Sequence, residues 1–313
     1  MEHFVTFFNR SYLPQGIVLQ QSMERHIKKY CLWVLCADDD TFQALRKLKL
    51  ENVKLLLLSN LETSELKYAK TNRNAKEYIW TLSPFAPRFV FESDGSIDRV
   101  TYIDADAWFL QDPKYIFREF ELSGKAVMIT DHAYAPEYDN SQIAGRFCVQ
   151  FMIFTRAGEL VRQWWEDRCL EWCHEYYEDG KLGDQRYLDD WPERFENYVH
   201  ILEAKELMLA PWNATRFPYG NCVVWHFHGL RISEKKLNYF AQSDNYAIPP
   251  PTYQNVYLPY IKDLGGAIKM LEAIGYKVLP QVDYRRNRLI KCFIRGLYRL
   301  RWKAKINNKI KIF

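Results

Sequence analysis

Over its first 160 residues the chain alternates short apolar runs with amphipathic stretches, and that rhythm constrains the fold more than any other feature. Apolar runs of five to seven residues, each followed by a helical pattern, are the signature of strands joined by crossover helices in a mostly parallel sheet. We therefore expect an α/β fold. Strands are expected at Phe4–Phe8, Cys31–Cys36, Val53–Leu58, Arg99–Ile103, Ala126–Thr130 and Cys148–Phe154, with helices near residues 14–29, 40–48 and 74–91. A longer helical stretch is expected from about Arg156 to Tyr177, then a short helix ending near Pro192, and a last strand in Cys222–Gly229. Ligands of open α/β sheets bind at the carboxyl ends of the strands. Asn9, Ala37-Asp38-Asp39 and Asp104-Ala105-Asp106 all follow such strands, which gathers polar groups along one edge.

The pair Asp104 and Asp106 carries the first chemical signal. Carboxylates two residues apart in an extended segment project from one face, so both can offer hard oxygen ligands to one divalent cation. By itself an Asp-x-Asp also suits a strand end capped by solvated acids. In Cys222-Val223-Val224-Trp225-His226-Phe227-His228-Gly229 the same period-two argument brings His226 and His228 to one face. A strand histidine is commonly a satisfied polar group, and the Asp184-Gln185 pair at a helix start can be a cap.

The order of these pieces resembles a family. A nucleotide-binding α/β half, then Asp104-Ala105-Asp106, Asp184-Gln185 and His226-Phe227-His228-Gly229, is similar to the metal-dependent glycosyltransferases of the GT-A fold. Family 8 and related bacterial transferases of surface-polysaccharide assembly are the nearest in pattern. The resemblance spans about residues 1–240 and implies a GT-A, Rossmann-like, mostly parallel sheet flanked by helices. It further implies that Asp104, Asp106 and His226 hold Mn²⁺ or Mg²⁺ against the diphosphate of a nucleotide sugar, where a cation neutralises charge on the leaving group. His228 would bind phosphate or the ion, with Gly229 and Arg231 beside it. Lys70, Asn72 and Arg73 fall where the family contacts the diphosphate or donor sugar, and a solvated charged turn is the competing reading. Phe8, Asn9, Tyr12 and Asp38 fall where base and ribose are held.

Asp184 and Gln185 match the position beside donor sugar and acceptor, as the catalytic pair. A retaining outcome is favoured by the resemblance, and Asp184 would also serve an inverting enzyme as general base. Two departures stand out. Where many relatives carry an Asn, this chain has Phe147-Cys148-Val149-Gln150-Phe151, so Gln150 takes the place of the amide at the sugar; and no Lys-Pro-Trp follows the histidine segment.

Composition bounds the rest. Hydrophobic residues at 48% and aromatics at 16% suit a globular chain rich in Tyr, Phe and Trp, with no run of about 18 apolar residues to cross a bilayer. The strand-like start, Met1-Glu2-His3-Phe4-Val5, lacks the regions of a signal peptide, and seven irregularly spaced cysteines read as reduced thiols, so a cytoplasmic protein is expected. The charge is uneven. From Tyr284 to Phe313 there are eleven basic residues and no acid; taking that +11 from the net +4 leaves residues 1–283 at −7.

In that tail Leu289, Ile290, Phe293, Ile294, Leu297, Tyr298 and Leu300 recur at helical spacing between the basic residues, the make-up of an interfacial amphipathic helix. We expect residues 284–313 to bind the anionic inner-membrane surface, at about 1 kcal/mol per engaged cation; nucleic acid or the protein's own acidic body are the competing partners, and the acidic remainder disfavours nucleic acid. The expected organisation is a catalytic domain over 1–240, a helical extension over 241–283 and the tail over 284–313. The expected partners are a nucleotide-sugar donor, with UDP-sugar favoured, and a glycan or lipid-linked acceptor. The competing functions are a metal-dependent phosphohydrolase, whose Asp-x-Asp would follow the first strand, and a non-catalytic glycan-binding scaffold.

Overall fold

The computed structural model describes residues 1–233, 240–241 and 246–281. Ten strands build the larger part: β1 (Glu2–Phe8), β2 (Tyr30–Cys36), β3 (Val53–Leu57), β4 (Arg99–Ile103), β5 (Ala107–Phe109), β6 (Val127–Asp131), β7 (Phe147–Thr155), β8 (Val199–Ile201), β9 (Met208–Leu209) and β10 (Val224–His226). Seven of them form one sheet in the order β3-β2-β1-β4-β7-β6-β8. All its pairings are parallel except those of β7, which runs against β4 and β6. The expected mixed α/β sheet is present, with each of its six expected strands ending within one residue of its place and β1 starting two residues early.

Burial explains why the strands read as continuous apolar runs. Every residue of β2, Tyr30-Cys31-Leu32-Trp33-Val34-Leu35-Cys36, is buried, because helices cover both faces of the sheet. Parallel β1, β2 and β4 then carry their following loops to one edge. There Ala37 N donates to Phe8 O at 3.0 Å, and Asp38 accepts from Arg10 N at 2.8 Å, which ties the loops after β1 and β2 together. Close packing beneath this edge depends on Gly16: a Cβ there would lie 2.2 Å from the Phe8 ring.

The helices depart from expectation in two places. The stretch near 74–91 is broken into Ala75–Thr81 and Phe85–Ser93, with Ser83 and Pro84 in the break. The stretch from Arg156 ends at Glu171, where Trp172 turns extended; residues 172–183 then form a loop whose aromatics pack on one another, so apolar spacing there continued without a helix. A further helix, Ser64–Thr71, starts at the Thr63 cap. The expected strand over Cys222–Gly229 shortens to β10, which joins β5 and β9 in a separate three-stranded sheet.

The helix Leu258–Ala273 belongs to the same compact unit as Met1–His228. Its Tyr260 ring stacks on Phe227, centroids 3.5 Å apart, and its Asp263 pairs with Arg25 and accepts from Trp108 Nε1. Buried aromatics of this size contribute roughly 1.5–3 kcal/mol each, which fixes the residue after His226. In the second unit, Gly229–Ser243 with Leu279–Phe313, the described residues form a ribbon of β11 (Arg231–Ile232) and β12 (Phe240–Ala241), and Ile232 exchanges hydrogen bonds with Gln281. The basic tail, residues 284–313, lies outside the described residues. Among those residues no helix is long and apolar enough to cross a membrane, and the six cysteines are free and buried.

Candidate functional site

Asp104, Asp106 and His226 converge at the carboxyl end of β4, with one ligand atom from each lying within 4.8 Å of the others. The two carboxylates meet through a turn. β4 ends at Ile103, Ala107 N donates to Asp104 O at 3.1 Å, and the chain reverses into β5; the extended-strand geometry expected of Asp104 and Asp106 is replaced by this bend. His226 arrives by pairing: it faces Ala107 across the antiparallel β5–β10 ladder, and Phe227 N donates to Asp106 O at 2.9 Å. Its Nε2 lies 3.2 Å from Asp106 and 3.6 Å from Asp104.

The other ring nitrogen is engaged. His226 Nδ1 donates to Gln150 Oε1 at 3.0 Å, which leaves Nε2 facing the two carboxylates. Gln150 is buried on β7, and its Nε2 finds no hydrogen-bond partner among the described residues. Tyr102 donates its hydroxyl to Asp104 at 2.8 Å, orienting that carboxylate from the strand below. Two hard carboxylates and an oriented imidazole fit a divalent cation.

Electrostatics follow from burial and crowding. Burial opposes a charge on His226, but Asp106 and then Asp104 prevail and push its imidazole well above the ordinary histidine range. Burial raises the Asp104 carboxyl, with Asp106 adding and His226 and Tyr102 opposing. Asp184, also buried, feels Asp104: burial lifts its carboxyl to about 7, while a hydrogen bond from Ser83 resists. Trp165 Nε1 holds the Asp184 carbonyl at 2.8 Å. The structure therefore brings Asp184 within electrostatic reach of Asp104, which it follows by 80 residues.

The remaining expected residues have more local occupations. Gln185 donates to Ala144 O at 2.8 Å and so anchors the short helix Ser141–Ala144. Asn9 caps the turn containing Tyr12 through Ser11, Asp38 caps the helix Asp39–Leu48 through Thr41 N, and Phe8 is buried against Gly16. Asn9 and Asp38 nonetheless lie on the sheet edge that carries Asp104. Lys70, half-exposed, pairs with the nearly buried carboxylate of Glu62, and Asn72 ends the helix Ser64–Thr71. Arg73 is buried, donating to Thr81 Oγ1 and Leu170 O, so its guanidinium works as a packing anchor. His228 lies beyond β10 and is exposed, its ring 5.7 Å from that of His226; the expected shared strand ends at His226, two residues earlier. Gly229 has φ +81°, and Arg231 begins β11.

Several contributors carried little signal in the sequence. Trp212 sits edge-on to His226, His228 and His132, and its Nε1 donates to His132 O. Cys148, two residues before Gln150, is drawn down to about 7 against its burial by His132 and His226. Ser83 is visible only as the break before Pro84.

No family model matches the chain. It is 31% identical over 249 residues to the uncharacterized protein YfnF of Bacillus subtilis (strain 168), covering 73% of this chain and 82% of that protein. To YfnD of the same organism it is 30% identical over 286 residues, 84% of this chain and 88% of the relative. Among solved structures it is similar to the galactosyltransferase LgtC in complex with donor and acceptor sugar analogues, with a TM-score of 0.53 at 12% identity over 84% of this chain and 95% of that one. The apo-form glycosyltransferase GlyE of Streptococcus pneumoniae TIGR4 gives 0.53 at 15% identity, over 90% of this chain and 65% of GlyE. The bifunctional WbbM gives 0.51 at 15% identity, over 87% of this chain and 51% of WbbM. The fold they share with this chain is GT-A. With 30% identity or more to two proteins over most of their length, the chain belongs to the family of YfnF and YfnD.

Proposed function

We propose that the protein is a divalent-metal-dependent glycosyltransferase, a hexosyltransferase acting on a nucleotide-diphosphate sugar. The observation that carries this reading is the convergence of Asp104, Asp106 and a Gln150-oriented His226 at the ligand-binding edge of a GT-A sheet. A Mn²⁺ or Mg²⁺ ion held there supplies positive charge for the donor's diphosphate as the anomeric C–O bond breaks. The chain's own part is positional and protonic: Tyr102 and Gln150 fix Asp104 and His226, while Asp184 holds a proton to about neutral pH beside them. LgtC, whose structure holds donor and acceptor sugar analogues, supports a two-substrate reading for the same fold.

The finer assignment is a UDP-sugar donor, a glycan or lipid-linked acceptor of cell-surface polysaccharide or lipopolysaccharide synthesis, and retention at the anomeric carbon. Its setting is the cytoplasmic face of the inner membrane, reached through the basic residues 284–313. A panel of UDP-sugars assayed with and without Mn²⁺ tests it. Metal-dependent transfer or hydrolysis, abolished in Asp106→Ala with the fold intact, is expected. Metal-independent turnover, or full activity in the variant, contradicts the proposal. Removal of 284–313 should release the protein from anionic liposomes while donor hydrolysis continues.

A further inference from the structure

The loop before Asp184 is a built object. Between Glu178 and Lys181 the backbone closes a two-residue hairpin, with Asp179 and Gly180 both at positive φ, the Asp-Gly turn that suits such a reversal. Trp172 Nε1 donates to Glu178 at 3.0 Å, and Lys181 lies over the Trp172 ring. His174 pairs with Glu77, and Lys76 and Asn74 reach Glu175, so the loop is fastened to the helix Ala75–Thr81. On this base the Tyr176 ring stacks on His174, 5.3 Å apart at 17°, and stands edge-on to Trp172.

One face of Tyr176 is used in that stack; yet the residue is 51% exposed, and its neighbour Tyr177 is 50% exposed. Tyr176 is held outward by its stack on His174, and the half-exposed Tyr177 follows it directly in the chain. The loop also runs straight into the site. His174 O accepts from Gly183 N at 2.9 Å, Gly183 packs under Trp80, and the next residue is Asp184. We propose that Tyr176 and Tyr177 form a stacking platform for a pyranose ring of the acceptor glycan, an inference that rests on the glycosyltransferase reading above.

The chemistry favours a sugar over other occupants. The apolar C–H face of a pyranose matches an aromatic face, and pre-ordered rings bind it with little loss of side-chain freedom. Glu175, Glu178 and Asp179 flank the tyrosines in the chain. Glu175 and Glu178 already accept from Lys76 and Trp172, and the lone pairs left on these carboxylates can accept from sugar hydroxyls, while the run of acids disfavours an anionic bilayer.

Saturation-transfer difference NMR on the full chain tests this with three probes: the methyl β-glycosides of glucose, galactose and N-acetylglucosamine. At least one should receive saturation from the wild-type protein. The signal should fall about fivefold in Tyr176→Ala and Tyr177→Ala. It should survive in Tyr176→Phe, which keeps the ring, and in Tyr68→Ala, which removes an exposed tyrosine elsewhere. No saturation of any probe, or signal at the wild-type level in either alanine variant, would overturn the proposal. Mn²⁺-dependent UDP binding is measured on the same samples. Loss of sugar signal with UDP binding retained supports the platform, whereas a wild-type protein that stacks sugars but ignores Mn²⁺ and UDP overturns the donor-site reading alone.

Discussion

His226 Nδ1 donates to the side-chain oxygen of Gln150 at 3.0 Å, so a residue on β7 sets which nitrogen of a β10 histidine faces the two aspartates. Partners of this kind orient a ligand and raise its basicity. Gln150→Leu should therefore keep the fold and weaken Mn²⁺ binding about 10- to 100-fold, read by calorimetry. Binding at wild-type strength would mean that the imidazole is oriented by something else.

Asp184 should leave a mark on stability. Its folded carboxyl ionises at about 7, above the ~3.9 of an unfolded Asp, so the unfolded chain gives up the proton first as pH rises. The metal-free protein then loses stability between about pH 4 and 7, on the order of 4 kcal/mol from this group. Urea melts of wild type and Asp184→Asn, whose amide stays neutral, should run close together near pH 4 and separate as pH rises towards 7 and above, with wild type falling below the variant. Parallel curves would refute the assignment.

Much of this site could be read from the chain, and the limits have physical causes. Apolar runs located the strands because burial on both faces leaves few polar interruptions, and Asp104-Ala105-Asp106 was found because it follows one of them. The turn that brings its carboxylates together was hidden, since Ala105-Asp106-Ala107 has neither Gly nor Pro to announce a bend. Gln150 was noticed as a substitution, but its partner lies 76 residues away and emerges only from strand pairing. Arg73 looked like a phosphate ligand by type; burial beside Thr81 and the Leu170 carbonyl gives its guanidinium a packing role that composition does not reveal.

Glu77 is a test of the scaffold beside the site. It closes the capping box with Asn74 and also accepts from Glu175 N at 3.1 Å, joining the helix Ala75–Thr81 to the aromatic loop. Burial works to raise its carboxyl, yet these hydrogen bonds and His174 hold it below the usual range. A depressed folded value contributes stability above the unfolded pKa and loses it as pH falls through the folded one. Glu77→Ala should cost about 1–2 kcal/mol at neutral pH, and the gap to wild type should shrink on acidification. A gap that widens in acid would contradict the sign.

The central claim is that Asp104, Asp106 and His226 hold the cation of a nucleotide-sugar donor, and calorimetric titration of Mn²⁺ in the presence of UDP meets it most directly. Wild type should bind the ion and the nucleotide together, more tightly as pH rises because His226 must shed its proton. Asp106→Asn, folded by circular dichroism, should lose at least tenfold in Mn²⁺ affinity, by the charge it removes. Equal affinity in both proteins, or UDP binding indifferent to the metal, would contradict the account.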